Sequence, residues 1–245
     1  MRLLALTFLL LLGAIPCGAQ EMTTTVVPVV GSVVGTGQVR WKTDVEIIND
    51  SPLAIDVALE LASAPAAPVI FLTLGPGQIQ RFTDIVGQAF GADAILSPLR
   101  ITSSGRRPVM VRANAYAIRG SEVLPFQPIS VFASGSGYPV RILDGLGFTD
   151  ETRTNIGLLN LGDRPADVLL ALQRLPGRNL AITRLRVDPG TLLHLAIQQL
   201  FPLITEGHGF AVVVETFSPE TFVYASVIEN ANNAGTFVAP RVGAR

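Results

Sequence analysis

The chain contains one sequence pattern twice, and this internal repeat constrains its fold more than any single motif does. Strand-like runs, Pro-Gly steps and a closing phenylalanine followed shortly by proline recur in the same order. Two copies of one pattern predict two domains of one fold. The matched segments are residues 28–30 with 139–141, 42–49 with 153–160, 74–77 with 187–190, and 126–128 with 237–240.

The repeat predicts one β-sandwich domain at residues 20–129 and a second at residues 138–245. Between them, residues 130–137 end in the run ASGSG, which is typical of a flexible linker. Each predicted domain is large enough to bury a hydrophobic core without disulfides or metal ions.

Residues 1–19 have the composition of an export signal. Arg2 supplies the positive start, residues 3–15 are apolar, and small residues end the segment at Ala19. We predict cleavage after Ala19 and a secreted or periplasmic location. Because the apolar run is shorter than the roughly 20 residues that cross a bilayer, we expect no integral membrane segment after cleavage.

Cys17 is the only cysteine and lies within the predicted signal peptide. The mature chain would therefore have neither a disulfide nor a reactive thiol. A lipid anchor on Cys17 is an alternative, although Pro16 stands where lipoprotein signals have a small residue.

Alternating apolar and polar residues predict the strands of both copies. Residues 44–49 and 55–61 alternate in the first copy, as residues 156–161 and 166–172 do in the second. The intervening NDSP and GDRP sequences favour turns. Further strand pairs are predicted for residues 99–102 with 109–116 and for residues 210–216 with 222–228.

Each copy also carries a predicted turn and a predicted helix. Residues 75–77 (GPG) and 188–190 (DPG) suit type II turns, in which glycine takes the position with positive φ. Apolar spacing predicts short helices at residues 83–90 and 194–201. The predicted fold is all-β, with two tandem immunoglobulin-like antiparallel β-sandwich domains that each contain one short helix.

Four features of the first copy form a recognisable pattern: residues 41–44 (WKTD), Asn49, residues 76–77 (PG) and residues 90–91 (FG). With them the chain resembles a loosely defined group of exported bacterial proteins with tandem immunoglobulin-like β-sandwich modules. The resemblance implies a secreted module and brings no catalytic residues. The second copy departs from the pattern at Thr152, Asn155 and residues 201–202.

The two histidines give little support for catalysis or metal binding. His194 occupies the position of Arg81 in the first copy, so we interpret it as a polar residue at a strand-to-helix junction. His208 and Glu206 offer two ligands where a zinc site needs three or four. We predict no metal site here.

Other catalytic patterns are also weak. Ser134 and Ser136 lie in the predicted linker, and no G-x-S-x-G motif is present. Asp44 and Glu46 point to one face of a strand, and we interpret that face as solvated. The chain is predicted to have no catalytic residue.

Two remaining segments invite a ligand. Asp144, Asp150 and Glu151 lie in an acidic segment that lacks the alternating oxygen ligands of a calcium loop. The glycine-rich residues 31–37 lack the lysine and following helix of a phosphate loop. We therefore predict no cofactor.

Arginines concentrate in the last predicted hairpin of the first copy. Guanidinium groups bind carboxylates and phosphates in a fork geometry, so this surface is a candidate contact for an anionic glycan or an acidic protein. Charge that keeps the protein soluble and protects a sheet edge is the alternative. The five residues are Arg100, Arg106, Arg107, Arg112 and Arg119.

Taken together, these features predict a non-catalytic binding or structural module at the cell exterior that contacts a protein or an anionic glycan. A formal net charge of −1 gives no broad attraction for nucleic acid. Two alternatives stay open: a periplasmic chaperone of surface-fibre subunits, and a hydrolase that would need His194 or His208 beside a carboxylate.

Overall fold

A computed structural model describes residues 21–133, 140–174 and 178–243. The predicted signal peptide and residues 134–137 of the predicted linker lie outside the described residues. Residues 21–133 are called the first half below, and residues 140–243 the second half.

The first half consists of strands, one short 3-10 helix at Thr36–Gln38 and one α-helix, α1. In chain order its elements are β1 Met22–Val34, β2 Arg40–Ile48, β3 Ile55–Leu61, β4 Ile70–Leu74, β5 Ile79–Phe82, α1 Ile85–Phe90, β6 Ile95–Ser104, β7 Met110–Arg119, β8 Glu122–Ile129 and β9 Phe132–Ala133.

The second half has the same character, with one α-helix, α2, among strands. Its elements are β10 Val140–Phe148, β11 Thr152–Asn160, β12 Ala166–Arg174, β13 Arg178–Val187, β14 Thr191–Ala196, α2 Ile197–Leu200, β15 Gly207–Thr216, β16 Thr221–Glu229, β17 Gly235–Val238 and β18 Arg241–Val242.

The second half forms two separate antiparallel sheets, with strand orders β13-β12-β15-β10-β18 and β14-β11-β16-β17. In the first half the order β4-β3-β6-β1-β2-β7-β8 runs through both layers, with β5 beside β2 and β9 beside β1. Strand β1 joins the layers because most of its length pairs with β6, whereas Ser32–Val34 pair with β2. The all-β class is thus confirmed, and the paired layers are those of a β-sandwich.

Both halves place their strands in the same order, from β4 to β1 and from β13 to β10. A register shift interrupts β1 between Val27 and Val30, and another interrupts β10 between Leu143 and Leu146. Shifts of this kind bend a strand and increase its twist. They lie at matching positions of the two layers that contain β1 and β10.

Alternating burial along the strands builds the cores. In β2 the buried residues are Thr43, Val45 and Ile47, and the residues between them are more exposed. Such alternation lets each sheet bury one face against its partner. The first half has a core around Leu59 and Ile101, and the second has its own core around Leu170.

An asparagine fixes the same chain reversal in each half. The buried Asn49 donates from Nδ2 to the carbonyl oxygens of Leu53 (2.7 Å) and Leu74 (2.9 Å). Asn160 donates likewise to Arg164 (2.7 Å) and Val187 (2.9 Å). The predicted turns after β2 and β11 are present, and each carries the chain into the facing sheet.

The predicted Pro-Gly turns are confirmed. Gly77 has φ 68° and Gly190 has φ 67°, the positive values that a type II turn requires at this position. The nitrogen of Gln78 donates to the oxygen of Gly75 (3.1 Å), and that of Thr191 to Asp188 (3.2 Å).

The pairing predicted for the last strands of each copy is wrong. Residues 99–102 lie in β6, which pairs with β1 and β3, whereas residues 109–116 belong mainly to β7, which pairs with β2 and β8. Residues 210–216 and 222–228 likewise fall in different sheets. Because both edges of β6 are occupied, the chain crosses to the facing sheet, and Ile101 of β6 meets Ala113 of β7 in one core.

The helices are shorter than predicted. Helix α1 begins after Asp84, whose side chain accepts a hydrogen bond from the nitrogen of Gly87 (3.2 Å). The second helix was predicted to begin at His194, but residues 194–196 belong to strand β14 and α2 covers Ile197–Leu200. Strand β9 also includes part of the predicted linker.

Within residues 21–133, 140–174 and 178–243, no helix has both the length and the hydropathy that crossing a membrane requires.

Candidate functional site

A cavity of about 250 Å³ lies between the two halves and has residues of both in its walls. Most of the lining surface is apolar, and the aromatic side chains are Trp41, Tyr224 and Phe237. Mostly apolar cavities with a few polar groups are the usual form of small-molecule sites. We therefore treat this interface cavity as the candidate functional site.

The first-half wall comes from β1, β2, β6, β7 and β8 and from residues 35–36. Gly35 lies so close to the indole of Trp41 that an added Cβ would be 2.7 Å from Nε1. Beside it, Lys42 donates from Nζ to Oδ2 of Asp84 (2.5 Å), the residue that caps α1. The lysine that reaches the cavity thus has a carboxylate partner.

The second-half wall centres on three residues in register across one sheet. Gly157 of β11 pairs with His194 of β14 on one side and with Tyr224 of β16 on the other. Nδ1 of His194 and the Tyr224 hydroxyl are 2.9 Å apart and share a hydrogen bond. Phe237 stacks on the Tyr224 ring with centroids 5.2 Å apart.

Burial decides the charge of this pair. It lowers the pKa of His194 to about 4 and raises the pKa of Tyr224. The imidazole is therefore neutral at pH 7. A neutral histidine bonded to a neutral phenol can offer a ligand a hydrogen-bond donor or acceptor in a fixed position. A general acid or base, by contrast, works best with a pKa near the operating pH.

The matching positions of the first half have a different chemistry. Glu46 of β2 is in register with Arg81 of β5 on one side and with Arg112 of β7 on the other. Its carboxylate lies 2.8 Å and 3.9 Å from the guanidinium nitrogens of these two arginines. Both arginine side chains are mostly exposed there. The same sheet face is solvated in the first half and covered in the second.

Gln127 of β8 brings an unpartnered donor to the cavity. It is 6% exposed, and its Nε2 has no hydrogen-bond partner among the described residues. Gly235 of β17 packs against it so closely that an added Cβ would be 2.0 Å from Nε2. A buried donor left unpaired costs about 1–3 kcal/mol, so a ligand acceptor at this point would be favoured.

Arg153 also lines the cavity, and its charge is held by neutral groups. Its guanidinium donates to the side-chain oxygens of Asn230 (2.8 Å) and Asn233 (2.7 Å). Burial lowers its pKa from the ordinary value. The guanidinium is thus oriented before any ligand arrives.

The five arginines of the predicted anionic contact are spread over the first half. Arg100 bonds Glu60 (2.9 Å) within the sheet, and Arg112 lies 3.9 Å from Glu46. Arg106, in the turn after β6, contacts Glu21 (3.3 Å). Arg107 is beside it and exposed, whereas Arg119 lies at the far end of β7. The structure thus brings together only Arg106 and Arg107 of this set at one turn.

The acidic residues of the sequence interpretation occupy ordinary structural positions. Asp44 accepts a hydrogen bond from the backbone nitrogen of Asp84 (3.0 Å). Asp150 and Glu151 are exposed in the turn between β10 and β11, and Asp144 bonds Arg241. Within the described part of the chain, no group of three or more metal-ligating side chains is found.

Sequence reasoning missed the interface cavity because its walls come from both halves. His194 was singled out, but as a polar position at a strand end. Residues 31–37, dismissed as a phosphate loop, supply Gly31 and Gly35 to the cavity. Gly157 and Gly235 are a signal that the sequence does offer. Each lies inside a strand, where glycine often marks a tight contact.

Comparison with protein-family models, curated proteins and solved structures finds no match to this chain.

Proposed function

We propose that this chain is an exported, non-catalytic binding protein that holds a small ligand in the interface cavity. The observation that carries the proposal is a mostly apolar cavity of about 250 Å³ lined by Gln127, a buried residue whose Nε2 has no hydrogen-bond partner among the described residues. A volume of this size holds an aromatic ring with a short substituent, since one liquid-water molecule occupies about 30 Å³.

The ligand class follows from the charges around the cavity. Lys42 already bonds Asp84, and Arg153, which is hydrogen-bonded to two asparagines, is only partly buried and so keeps contact with solvent. His194 carries no charge at pH 7 because burial lowers its pKa to about 4. We therefore propose a neutral, largely apolar ligand with one hydrogen-bond acceptor for Gln127.

The proposal includes two tandem immunoglobulin-like modules of a secreted or periplasmic protein. The shared strand order and the matching shifts in β1 and β10 support two copies of one module. The composition of residues 1–19 supports export. Contact with a protein or an anionic glycan through Arg106 and Arg107 remains part of the proposal.

The hydrolase alternative depended on a histidine beside a carboxylate. The hydrogen bond of His194 goes to the hydroxyl of Tyr224, and His208 is exposed at the start of β15. Neither histidine is hydrogen-bonded to a carboxylate among the described residues, so the contacts of both favour binding over hydrolysis.

A matched pair of probes tests the ligand class. Acetophenone and ethylbenzene have similar shapes, but only acetophenone carries a hydrogen-bond acceptor. Trp41 is the only tryptophan, so its indole Nε1–H gives one resonance that reports on the cavity. We expect both probes to shift this resonance and acetophenone to bind more tightly.

Three variants test whether the probes bind in the interface cavity. Ala115→Phe fills the cavity and should abolish binding of both probes, whereas Ala66→Phe, at an exposed position, should leave it intact. Gln127→Leu should remove the preference for acetophenone. If neither probe shifts the indole resonance of the wild-type protein, or if Ala115→Phe binds both as well as the wild type does, the cavity is not the binding site.

Export is tested separately by N-terminal sequencing of the protein recovered from periplasm and culture medium. We expect the mature chain to begin at Gln20. A chain that keeps residues 1–19, or one that begins at a lipidated Cys17, would contradict cleavage after Ala19.

A further inference from the structure

Arg141 of β10 is a buried arginine with no carboxylate partner among the described residues. It lies in register with Val214 of β15 on one side and with Val242 of β18 on the other, and the residue is 4% exposed. Its Nη2 has no hydrogen-bond partner among the described residues. Buried charges in proteins are normally paired, because an unpaired charge loses its hydration without compensation.

Arg141 lines a second cavity of about 110 Å³. Phe132, Phe222 and Val223 give it apolar walls, and Pro240 and Val242 complete them. The volume is roughly that of three or four liquid-water molecules. It suits a compact ligand with a short apolar part.

The charge around this cavity is positive. Arg241 also lines the cavity, but its charge is paired with that of Asp144. The charge of Arg141 is the one that this pair leaves uncompensated. Burial lowers the pKa of Arg141 to about 10, and the group therefore remains charged at pH 7. An anion is the ligand that this balance favours.

The scaffold does not require an arginine at this position. Arg141 pairs with Val242 of the last strand, just as Thr25 of β1 pairs with Ala133 of β9 in the first half. Thr25 is also buried, at 7% exposed. A small polar residue thus occupies this place in the first half, whereas the second half has a cation there.

We propose that Arg141 binds the carboxylate of a short-chain carboxylic acid, with the acyl chain against Phe132, Phe222 and Val223. A guanidinium presents two parallel N–H groups that match the two oxygens of a carboxylate. The apolar walls favour a carboxylate with a short chain over a bare inorganic anion. This site is distinct from the interface cavity and does not depend on the proposed function.

The test uses the mature chain with ¹⁵N-labelled arginine. Sodium butyrate is titrated at constant ionic strength, and sodium chloride, sodium phosphate and uncharged 1-butanol serve as comparison probes. We expect butyrate to shift the Arg141 side-chain resonances with saturation and to raise the melting temperature. Binding that is no stronger than that of chloride, or equal shifts with 1-butanol, would overturn the proposal.

Variants separate the site from general charge effects. Arg141→Met keeps the length of the side chain without its charge and should weaken butyrate binding by at least about tenfold. Arg106→Met, at a side chain that is 89% exposed, should bind as the wild type does. Equal butyrate affinity in Arg141→Met and wild type would also overturn the proposal. If Arg141→Met fails to fold, Arg141→Lys, which keeps the charge but loses the fork, takes its place and should also bind more weakly.

Discussion

Gly157 lies directly against the ring of Tyr224, since a Cβ added at Gly157 would be 2.0 Å from Cε1 of that ring. The two residues are partners in register on neighbouring strands β11 and β16. In the first half the same position is Glu46, whose arginine neighbours face solvent. The glycine therefore lets the aromatic ring lie flat on the sheet under the first half.

Gly157→Ala should destabilise the protein by about 1–3 kcal/mol, because the new methyl group displaces the Tyr224 ring and breaks its contact with His194. Urea unfolding measures the change. Gly75→Ala is the matched control, since its nearest neighbour would be 3.5 Å away. An equal effect of the two substitutions would contradict the role given to Gly157.

Asn49→Ala and Asn160→Ala should each cost about 1–3 kcal/mol in the free energy of unfolding, because buried carbonyl groups lose their donor. Both asparagines are almost fully buried, at 1% and 0% exposed. Asn179→Ala, at an exposed position, is the control and should change stability by less than about 0.5 kcal/mol. A small effect at only one of the two buried positions would show that the two turns are not equivalent.

His194 should make stability depend on pH between 6.5 and about 4, because burial lowers its folded-state pKa from 6.5 to about 4. In this window the unfolded chain binds a proton that the folded chain does not, so stability falls as pH falls. The total loss of stability across the window is on the order of 3 kcal/mol, and none of it is present well above pH 6.5.

The check compares unfolding free energies of wild type and His194→Gln across that window. The variant should lose this part of the slope, whereas His208→Gln, at an exposed site, should keep it. Parallel pH profiles for wild type and His194→Gln would count against a neutral, buried imidazole.

Replacing Arg106 and Arg107 together by serine should leave stability within about 0.5 kcal/mol of the wild type, because exposed ion pairs contribute little. The side chain of Arg106 is 89% exposed, and its ion-pair partner Glu21 is 63% exposed. We expect earlier elution of the variant from a column of an anionic polysaccharide as salt rises. Unchanged elution would remove these two arginines as an anionic contact.

Local patterns predicted the elements of this fold well. Alternation located β2 and β3, and the Pro-Gly steps located the turns at Gly77 and Gly190, because each depends only on neighbouring residues. Strand partners were harder. Nothing local marks the chain after β6 as crossing to the facing sheet, so residues 99–102 and 109–116 were expected to form a hairpin.

The sequence match between residues 28–30 and 139–141 does not correspond to equivalent positions in the structure. By strand pairing, Val27 and Leu143 hold equivalent places before the register shifts, and Arg141 lies opposite the last strand as Thr25 does. Similar short sequences aligned these segments, but the shifts in β1 and β10 set another correspondence. The sequence does not single out Arg141 as a candidate site residue, because its burial and its unpartnered Nη2 are visible only in the structure.

The interface cavity lay beyond sequence reasoning for a related reason. Tyr224 and Gln127 belong to different copies, and their approach depends on how the halves pack. Elsewhere between the halves, Val26 of the first and Phe222 of the second share a hydrophobic cluster. Such contacts between distant segments leave no periodic signal in the chain.

Strand β1 contributes to both layers of the first half, whereas the layers of the second half share no strand. A continuous backbone between layers couples their opening, so the amides of β2 and β6 should exchange with solvent together in a single cooperative event. Among the described residues of the second half, no strand joins the two sheets in this way. We therefore expect the amides of its two sheets to exchange at separate rates, which would make the second half the more easily opened part of the protein.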